Sequence, residues 1–300
     1  ASGEKLGDWA SAWVERAGMP RVSVQPVVDR RGQLREIVIG QQATGAGPGA
    51  RSAIWPMKLR VHVLTTTGAR QYEIRVVNQR TTLRTPGAGK PLFLFANDGD
   101  FGYGHFPLDA ASRRHALDHP ELLRDDLLRS LVHESLWNAV RDAELDPARY
   151  VELVLAQLPR ERNEILATTM LARLRAAVDR YLGEARRAAL APRIEEFLFS
   201  QMLSATSNSR RIACFRAFAD LARSDRGRAR VKDLLAGRIE VQFGSISPAL
   251  PHIRTGRLRA LAVTGATRLG ALPETPTVIE SGLRGYEVTL WFGILAPART

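Results

Sequence analysis

The stretch Arg230-Val231-Lys232-Asp233-Leu234-Leu235-Ala236-Gly237-Arg238-Ile239-Glu240-Val241-Gln242-Phe243 changes character in its middle. Up to Ala236 it reads as the end of a helix. Ser224 and Asp225 are start signals, Leu234 and Leu235 fall on the buried side, and Gly237 stands where a helix stops. From Arg238 the pattern alternates, with Ile239, Val241 and Phe243 on one face and Arg238, Glu240 and Gln242 on the other, which is a strand. The chain before this seam and the chain after it read as different kinds of protein, and neither side carries a complete active site.

Upstream of the seam the apolar spacing is helical back to about residue 110. Pro120 opens a helix with Leu123, Leu127 and Leu131, and Asp146-Pro147 caps and opens another with Val151, Val154, Leu155 and Leu158. A third runs from about Asn163 to Leu182. Pro192 reads as the first position of a fourth, with Ile194, Phe197, Leu198 and Met202, and Asn208 or Ser209 caps a fifth. Successive amphipathic helices on short loops predict a solenoid or bundle. Before Asp109 the runs are short and strand-like: Val22 to Val28, Leu34 to Ile39, Ile54 and Trp55 through Val63, Tyr72 to Val76, and Leu92 to Phe95. Gly- and Pro-rich loops such as Thr44 to Gly49 and Thr85 to Gly89 separate them, which predicts an antiparallel sandwich. A short helix from Lys5 to Ala17 precedes these strands, and the chain begins inside it, as a segment of something longer would.

The 300 residues suffice for about two domains. A 45% hydrophobic and 25% charged composition is ordinarily globular. The net charge of +12 is almost all arginine, since Lys5, Lys58, Lys90 and Lys232 are the only lysines. These arginines are scattered among Asp and Glu with no interleaved stacking aromatics, so the charge reads as solvated faces and no nucleic-acid partner is expected. Cys214, the single cysteine, excludes an internal disulfide and a cysteine zinc site and reads as a core residue. No apolar run approaches the roughly twenty residues that cross a bilayer, and no stretch reads as a signal peptide.

Few residues carry chemistry. His133-Glu134-Ser135-Leu136-Trp137 has a His-Glu pair, but Trp137 stands where a second zinc-ligating histidine belongs, so a helix-surface pair is expected. His115 and His119 have the spacing of a helical metal pair. Pro120 follows directly and disfavours helix before it, so a loop or helix-start pair is expected. His62, His105 and His252 read as isolated structural or surface residues. Gly45, Gly47 and Gly49 lack the Lys-Ser or Lys-Thr of a phosphate loop and read as a sandwich loop.

Trp13, Ala17-Gly18-Met19-Pro20, Gly40-Gln41, Ile54-Trp55-Pro56-Met57, Phe95-Ala96-Asn97-Asp98 and Gly102-Tyr103 occur in an order that resembles the C-terminal half of aminopeptidase N-like zinc metallopeptidases. Arg124 to Val140 and Asp146 to Leu158 look like the opening helices of that family's helical repeat domain. The resemblance covers about residues 1–236. It implies a β-sandwich spacer followed by a helical domain that closes over a peptide-binding cleft. The family's zinc site, with its HExxH helix, further glutamate ligand and GAMEN-type loop, would lie upstream, so zinc belongs to the full-length family and no cofactor is expected in this chain.

Beyond the seam, Gly237 to Phe243, Pro251 to Thr264, Leu272 to Gly282, Gly285-Tyr286-Glu287 and Trp291 to Pro297 look like the Bug-type solute-binding proteins of tripartite tricarboxylate transporters. That resemblance implies a two-lobed periplasmic fold that closes on small carboxylates, of which only a fragment is present. Leu258 to Val263 reads as a strand covered on both faces, Pro276 to Glu280 as a helix start, and Tyr286 to Leu295 as another strand. Thr264, Arg268 and Thr277 are the residues able to meet an anion, and the threonines read more simply as caps.

The expected architecture is therefore multidomain. Residues 1–20 end a catalytic-domain helix, 21–109 form an antiparallel β-sandwich, 110–236 a truncated α-helical solenoid of HEAT or armadillo type, and 237–300 a short α/β tail. Three functions follow: an accessory portion of a zinc aminopeptidase that is inactive alone, a fragment of a carboxylate-binding receptor, or a non-catalytic chimeric scaffold. No catalytic or metal residue is assigned, and the binding residues are left unknown. Peptide is the expected partner if a catalytic domain is joined upstream, and a small carboxylate is the partner the tail would take. The compartment is left unknown, with a bacterial cytoplasm or periplasm as the expected alternatives.

Overall fold

A computed structural model describes residues 7–15, 17–44, 53–237, 246–283, 285 and 287–288. The chain divides into two compact units, Ala1–Lys232 and Asp233–Thr300. The first unit opens with α1 (Gly7–Trp13), shorter than the predicted Lys5 to Ala17, with Val14, Glu15 and Ala17 outside the helix and Lys5, Leu6 and Arg16 outside the described residues. Six strands follow: β1 (Met19–Val28), β2 (Leu34–Thr44), β3 (Met57–Thr65), β4 (Gly68–Val76), β5 (Arg80–Arg84) and β6 (Pro91–Phe95). They form two three-stranded antiparallel sheets ordered β1-β2-β5 and β4-β3-β6.

The alternation read from the sequence is realised in β3, where Leu59, Val61 and Val63 are buried between half-exposed and exposed residues at Lys58, Arg60 and His62. Trp55 lies before β3 and is buried there. The Gln41 amide group donates to its carbonyl at 2.9 Å and accepts from its N–H at 2.6 Å. Strand β5, Arg-Thr-Thr-Leu-Arg, was not foreseen because it has one apolar residue and no hydrophobic period.

Then come α2 (Ala110–Asp118), α3 (Asp126–Arg141), α4 (Pro147–Gln157), α5 (Glu164–Ala176), α6 (Glu184–Ser204), α7 (Asn208–Leu221) and α8 (Asp225–Gly237). Most start on a short polar side chain that accepts from the free first-turn amides. Asp125 serves Leu128, Asp146 serves Ala148, Asn163 serves Ile165 and Leu166, and Ser207 serves Arg210. The Asp125 cap corrects the helix expected from Pro120, where only a single 3-10 turn forms over Pro120–Leu122 before the chain restarts as α3. Pro192 lies inside α6, because Gly183 begins that helix two turns earlier than expected. The cap of α7 is Ser207, one residue before the predicted Asn208 or Ser209. The helix α5 runs on into a π-helical segment, Ala177–Tyr181. Helix α2 packs on β6, and the Leu94 amide donates to Ser112 Oγ at 2.8 Å.

Sheet and helices are tied together at Arg21. Its guanidinium donates to His105 Nδ1 at 2.9 Å and to Glu144 Oε1 at 2.9 Å, and it lies 3.6 Å from Asp142. Arg113 of α2 holds the other Glu144 oxygen at 2.9 Å. The same place is bridged by backbone, since the Val22 amide donates to the His105 carbonyl and the His105 amide to Pro20, both at 2.8 Å.

The start of α8 matches the expectation from Ser224 and Asp225, with Ser224 Oγ accepting from the Gly227 amide at 2.9 Å. Leu234 is half-buried, while the Leu235 side chain and the expected strand from Arg238 to Phe243 lie outside the described residues. In the second unit α9 (Ile246–Arg254) is a helix that the prolines concealed. Leu258 to Val263 is not the expected strand. Leu258 and Leu261 are exposed, and only Val263 bridges, in parallel, to Thr277. The predicted start at Pro276 makes a single turn, in which Thr277 Oγ1 accepts from the Glu280 amide at 3.0 Å and the Glu280 carboxylate accepts from the Thr277 amide at 2.7 Å. That is a capping box without a helix after it. Of the strand expected over Tyr286 to Leu295, only Glu287 and Val288 are described, and they are not in a strand.

A buried carboxylate fixes α8. Glu195 of α6 is 3% exposed and accepts from the Arg223 amide at 2.7 Å, the Ser224 amide at 2.9 Å and the Ser224 hydroxyl. Gly227 lets it approach, since a Cβ there would collide with the carboxylate. Glu195→Ala strands these donors, and the expected loss is about 2–3 kcal/mol of unfolding free energy, read from the urea midpoint. An unchanged midpoint would mean that water satisfies them.

Candidate functional site

The imidazole pair is brought together more closely than the sequence suggested. His115 lies inside α2, not in a loop, because Asp109 caps the helix by accepting from the Ala111 and Ser112 amides and the turn closes with the His119 amide on the His115 carbonyl at 2.8 Å. The two rings sit 4.9 Å apart between centroids. His119, at the helix end, has its Nδ1 3.6 Å from a Glu121 oxygen. His115 also meets Phe93 and buries its Nε2 without a hydrogen-bond partner. Burial, and then the neighbouring His119, push the His115 pKa below the ordinary histidine value.

His133 is not on the surface. It is 1% exposed on the buried face of α3, bonds Gln157 of α4 through Nε2, and meets the Tyr150 ring edge-on at 6.2 Å. Its Nδ1 is buried without a partner. Burial drives its pKa down to about 4, so it is neutral at pH 7. Glu134, the next residue, points the other way along the helix surface and is engaged by Arg173 of α5 and by Asn138. Trp137 stacks among Tyr150 and Tyr181 at 5.4 and 5.5 Å. The His-Glu pair is thus split between core and surface, as consecutive residues on a helix are.

Two of the remaining histidines, His62 and His105, are not isolated. His62 Nδ1 lies 3.4 Å from the buried Asp98 carboxylate, which accepts from Gln71 at 2.5 Å. His105 belongs to the Arg21 cluster, and its pKa is lowered by burial and then by the Arg21 charge. His252 is exposed in α9. The buried pair of Glu161 with Arg129, at 2.7 and 2.9 Å, had no sequence signal, because the partners are 32 residues apart. Cys214 is fully buried, and burial raises its thiol pKa. Gly45, Gly47 and Gly49 lie outside the described residues.

In the second unit the three anion candidates are spent internally. Thr264 donates to the Val288 carbonyl at 2.8 Å, and Arg268 holds Glu280 at 2.9 Å and the Pro273 carbonyl at 3.2 Å. Thr277 makes the capping box described above.

A zinc ion does not fit these residues. Among the described residues no three His, Cys, Asp or Glu side chains converge as a metal-binding group. His133, the nearest to a zinc-binding pattern, is locked in the core by Gln157, and its helical neighbour at the fourth position is an indole. Among the described residues no helix is long and apolar enough to cross a membrane.

This pattern of engaged polar groups accompanies similarity to two classes of protein. Residues 225–300 match the family described as tripartite tricarboxylate transporter family receptor. The chain as a whole is similar to aminopeptidase N of Streptomyces lividans, 26% identical over 280 residues, covering 90% of this chain and 33% of that protein. The tail is 44% identical over 71 residues to the UPF0065 protein in the tcbD-tcbE intergenic region of Pseudomonas sp. strain P51, and 37% over 70 residues to protein BugT of Bordetella pertussis. Each of these alignments covers 23% of this chain, and they take in 21% and 22% of those two proteins. The chain therefore spans a third of its aminopeptidase relative and about a fifth of the two tail relatives. An alignment covering 90% of the chain extends beyond Gly237, so the two similarities overlap along the sequence.

His133 makes stability depend on pH. Unfolded, it titrates near 6.5, and folded, at about 4, so the unfolded chain binds more protons between these values. Its contribution is complete above pH 6.5 and is lost as pH falls toward 4, at about 1.4 kcal/mol per pH unit. His105 and His115 are shifted the same way and add to the slope. His133→Asn is expected to flatten the slope of unfolding free energy against pH in that window. An unaltered slope would assign the acid sensitivity to other groups.

Proposed function

We propose that residues 1–236 are an accessory C-terminal portion of a zinc aminopeptidase, inactive by themselves. In this reading residues 1–20 end the catalytic-domain helix, the two sheets of 21–109 form a sandwich spacer, and the helices of 110–236 form a truncated armadillo-like array beside a peptide cleft. The zinc and the reacting groups belong to an upstream catalytic domain, and peptide is the substrate of the joined protein. The observation that carries the reading is the similarity to an aminopeptidase N along 90% of the chain, over only a third of that protein's length. The engaged states of His133 and Glu134 support the assignment of no catalytic or metal residue here.

A second reading rests on the tail alone. Its similarity to tripartite tricarboxylate transporter receptors supports residues 237–300 as an α/β fragment of a carboxylate-binding protein. The capping box at Thr277 and the Arg268 pair, both internally satisfied, favour a fragment that binds no carboxylate alone. The behaviour of the isolated 300 residues is then that of a chimeric scaffold. The charge pattern argues against a nucleic-acid partner.

The test is zinc content together with aminoacyl-anilide hydrolysis on this chain. The expected outcome is no stoichiometric zinc and no turnover. One zinc per chain with hydrolysis would overturn the reading, and His115, His119, His133 and Glu134 would be the residues to substitute.

A further inference from the structure

Gly40 sits in the middle of β2, the central strand of the β1-β2-β5 sheet, where glycine weakens a strand. Neither of the usual local reasons for glycine applies. Its φ is not positive, and among the described residues a Cβ there would meet the Ser23 hydroxyl at 3.0 Å, a tight contact with the end of one short side chain. What the missing side chain does create is a trough. Gly40 pairs across the sheet with Ser23 of β1 on one side and Arg80 of β5 on the other. A cavity of about 570 Å³ opens above this row, lined among others by Ser23, Gln25, Val38, Gly40, Gln42 and Arg80. Glycine inside a strand often marks a bulge or the close approach of a ligand or another backbone, and the register runs through Gly40 without a bulge.

The lining sets the chemistry. Among the described residues it holds hydroxyl and amide donors, one guanidinium and no carboxylate. Arg80 is exposed and makes no ion pair among the described residues, whereas its strand neighbour Arg84 faces Glu36 at 3.8 Å. An unengaged arginine fork beside neutral donors matches a carboxylate, which accepts two parallel N–H bonds and further bonds from amides and hydroxyls. We propose that this trough is a binding site for a carboxylate, presented by the C-terminal end of a peptide or by a small organic acid, with Arg80 as the cationic anchor and Gly40 as the floor that admits the ligand. The site lies within the sheets of the first unit and stands independently of the accessory reading.

The test is a two-dimensional NMR titration of the full chain at pH 7 with three probes: acetyl-trialanine with a free carboxylate, the same peptide capped as its amide, and succinate. The free peptide is expected to move the amide signals of Ser23, Gly40 and Arg80, and the capped peptide to bind about tenfold more weakly. Arg80→Gln, a change on an exposed side chain, is expected to cost the free peptide the same factor. Gly40→Val fills the trough and is expected to abolish the shifts while leaving the melting temperature equal or higher, since valine suits a strand. Succinate as tight as the free peptide would identify small acids as the ligand source, and weaker succinate would identify peptide ends. No movement with any probe, equal binding of the capped peptide, or undiminished binding in a folded Gly40→Val protein would overturn the proposal.

Discussion

The Arg21 guanidinium reaches His105, Glu144 and Asp142 at once, and through Glu144 it is coupled to Arg113. These residues come from β1, from the loop after β6, from the turn after α3 and from α2, so one side chain from the first strand spans the join of sheets and helices. Charge-assisted bonds at partly buried sites are stronger than those on open surface, and each partner here constrains two others. The backbone exchange between β1 and His105 fixes the same contact without side chains. The orientation of the helical part against the sheets in the first unit is thus set where polar groups must pair, and apolar packing fills in around it.

How much of this was legible follows from where each signal lives. Caps and apolar periods are local, so Asp146, Asn163 and the Ser224 start read correctly. The strands carrying alternating aliphatic residues, such as β3, read correctly too. Strand β5 did not, because a polar edge strand is defined by its neighbour β2 and not by its own residues. Helix α6 was shortened in the reading because Pro192 looks like a start, yet an established helix tolerates a proline at the loss of one bond. In the tail, Leu258 to Val263 has strand composition without the partner strands that would pair it, and composition alone does not make a strand.

The candidate site residues divide by the same rule. His115 and His119 read as a loop or helix-start pair because of the proline after them, yet Asp109 gives α2 a start firm enough to carry it to Asp118 before that proline acts. His133 looked like a surface residue because Glu134 beside it is charged, but adjacent helix positions face about 100° apart. Its burial came from Gln157, an uncharged partner on the next helix that no spacing rule exposes. The long-range pairs, Glu161 with Arg129 and Glu195 with the start of α8, were invisible for the simple reason that ion pairs and remote caps leave no trace along the chain.

The cap that Glu195 gives to α8 makes the start of that helix independent of its end. The start of that helix is dictated by α6, and the receptor-family similarity begins at residue 225, its first residue. A helix whose beginning is specified from elsewhere does not depend on what its own later turns lead into. The start of α8 can therefore stay fixed whatever its last turn leads into, while Arg226 and Arg230 keep its middle turns tied to Glu196 of α6.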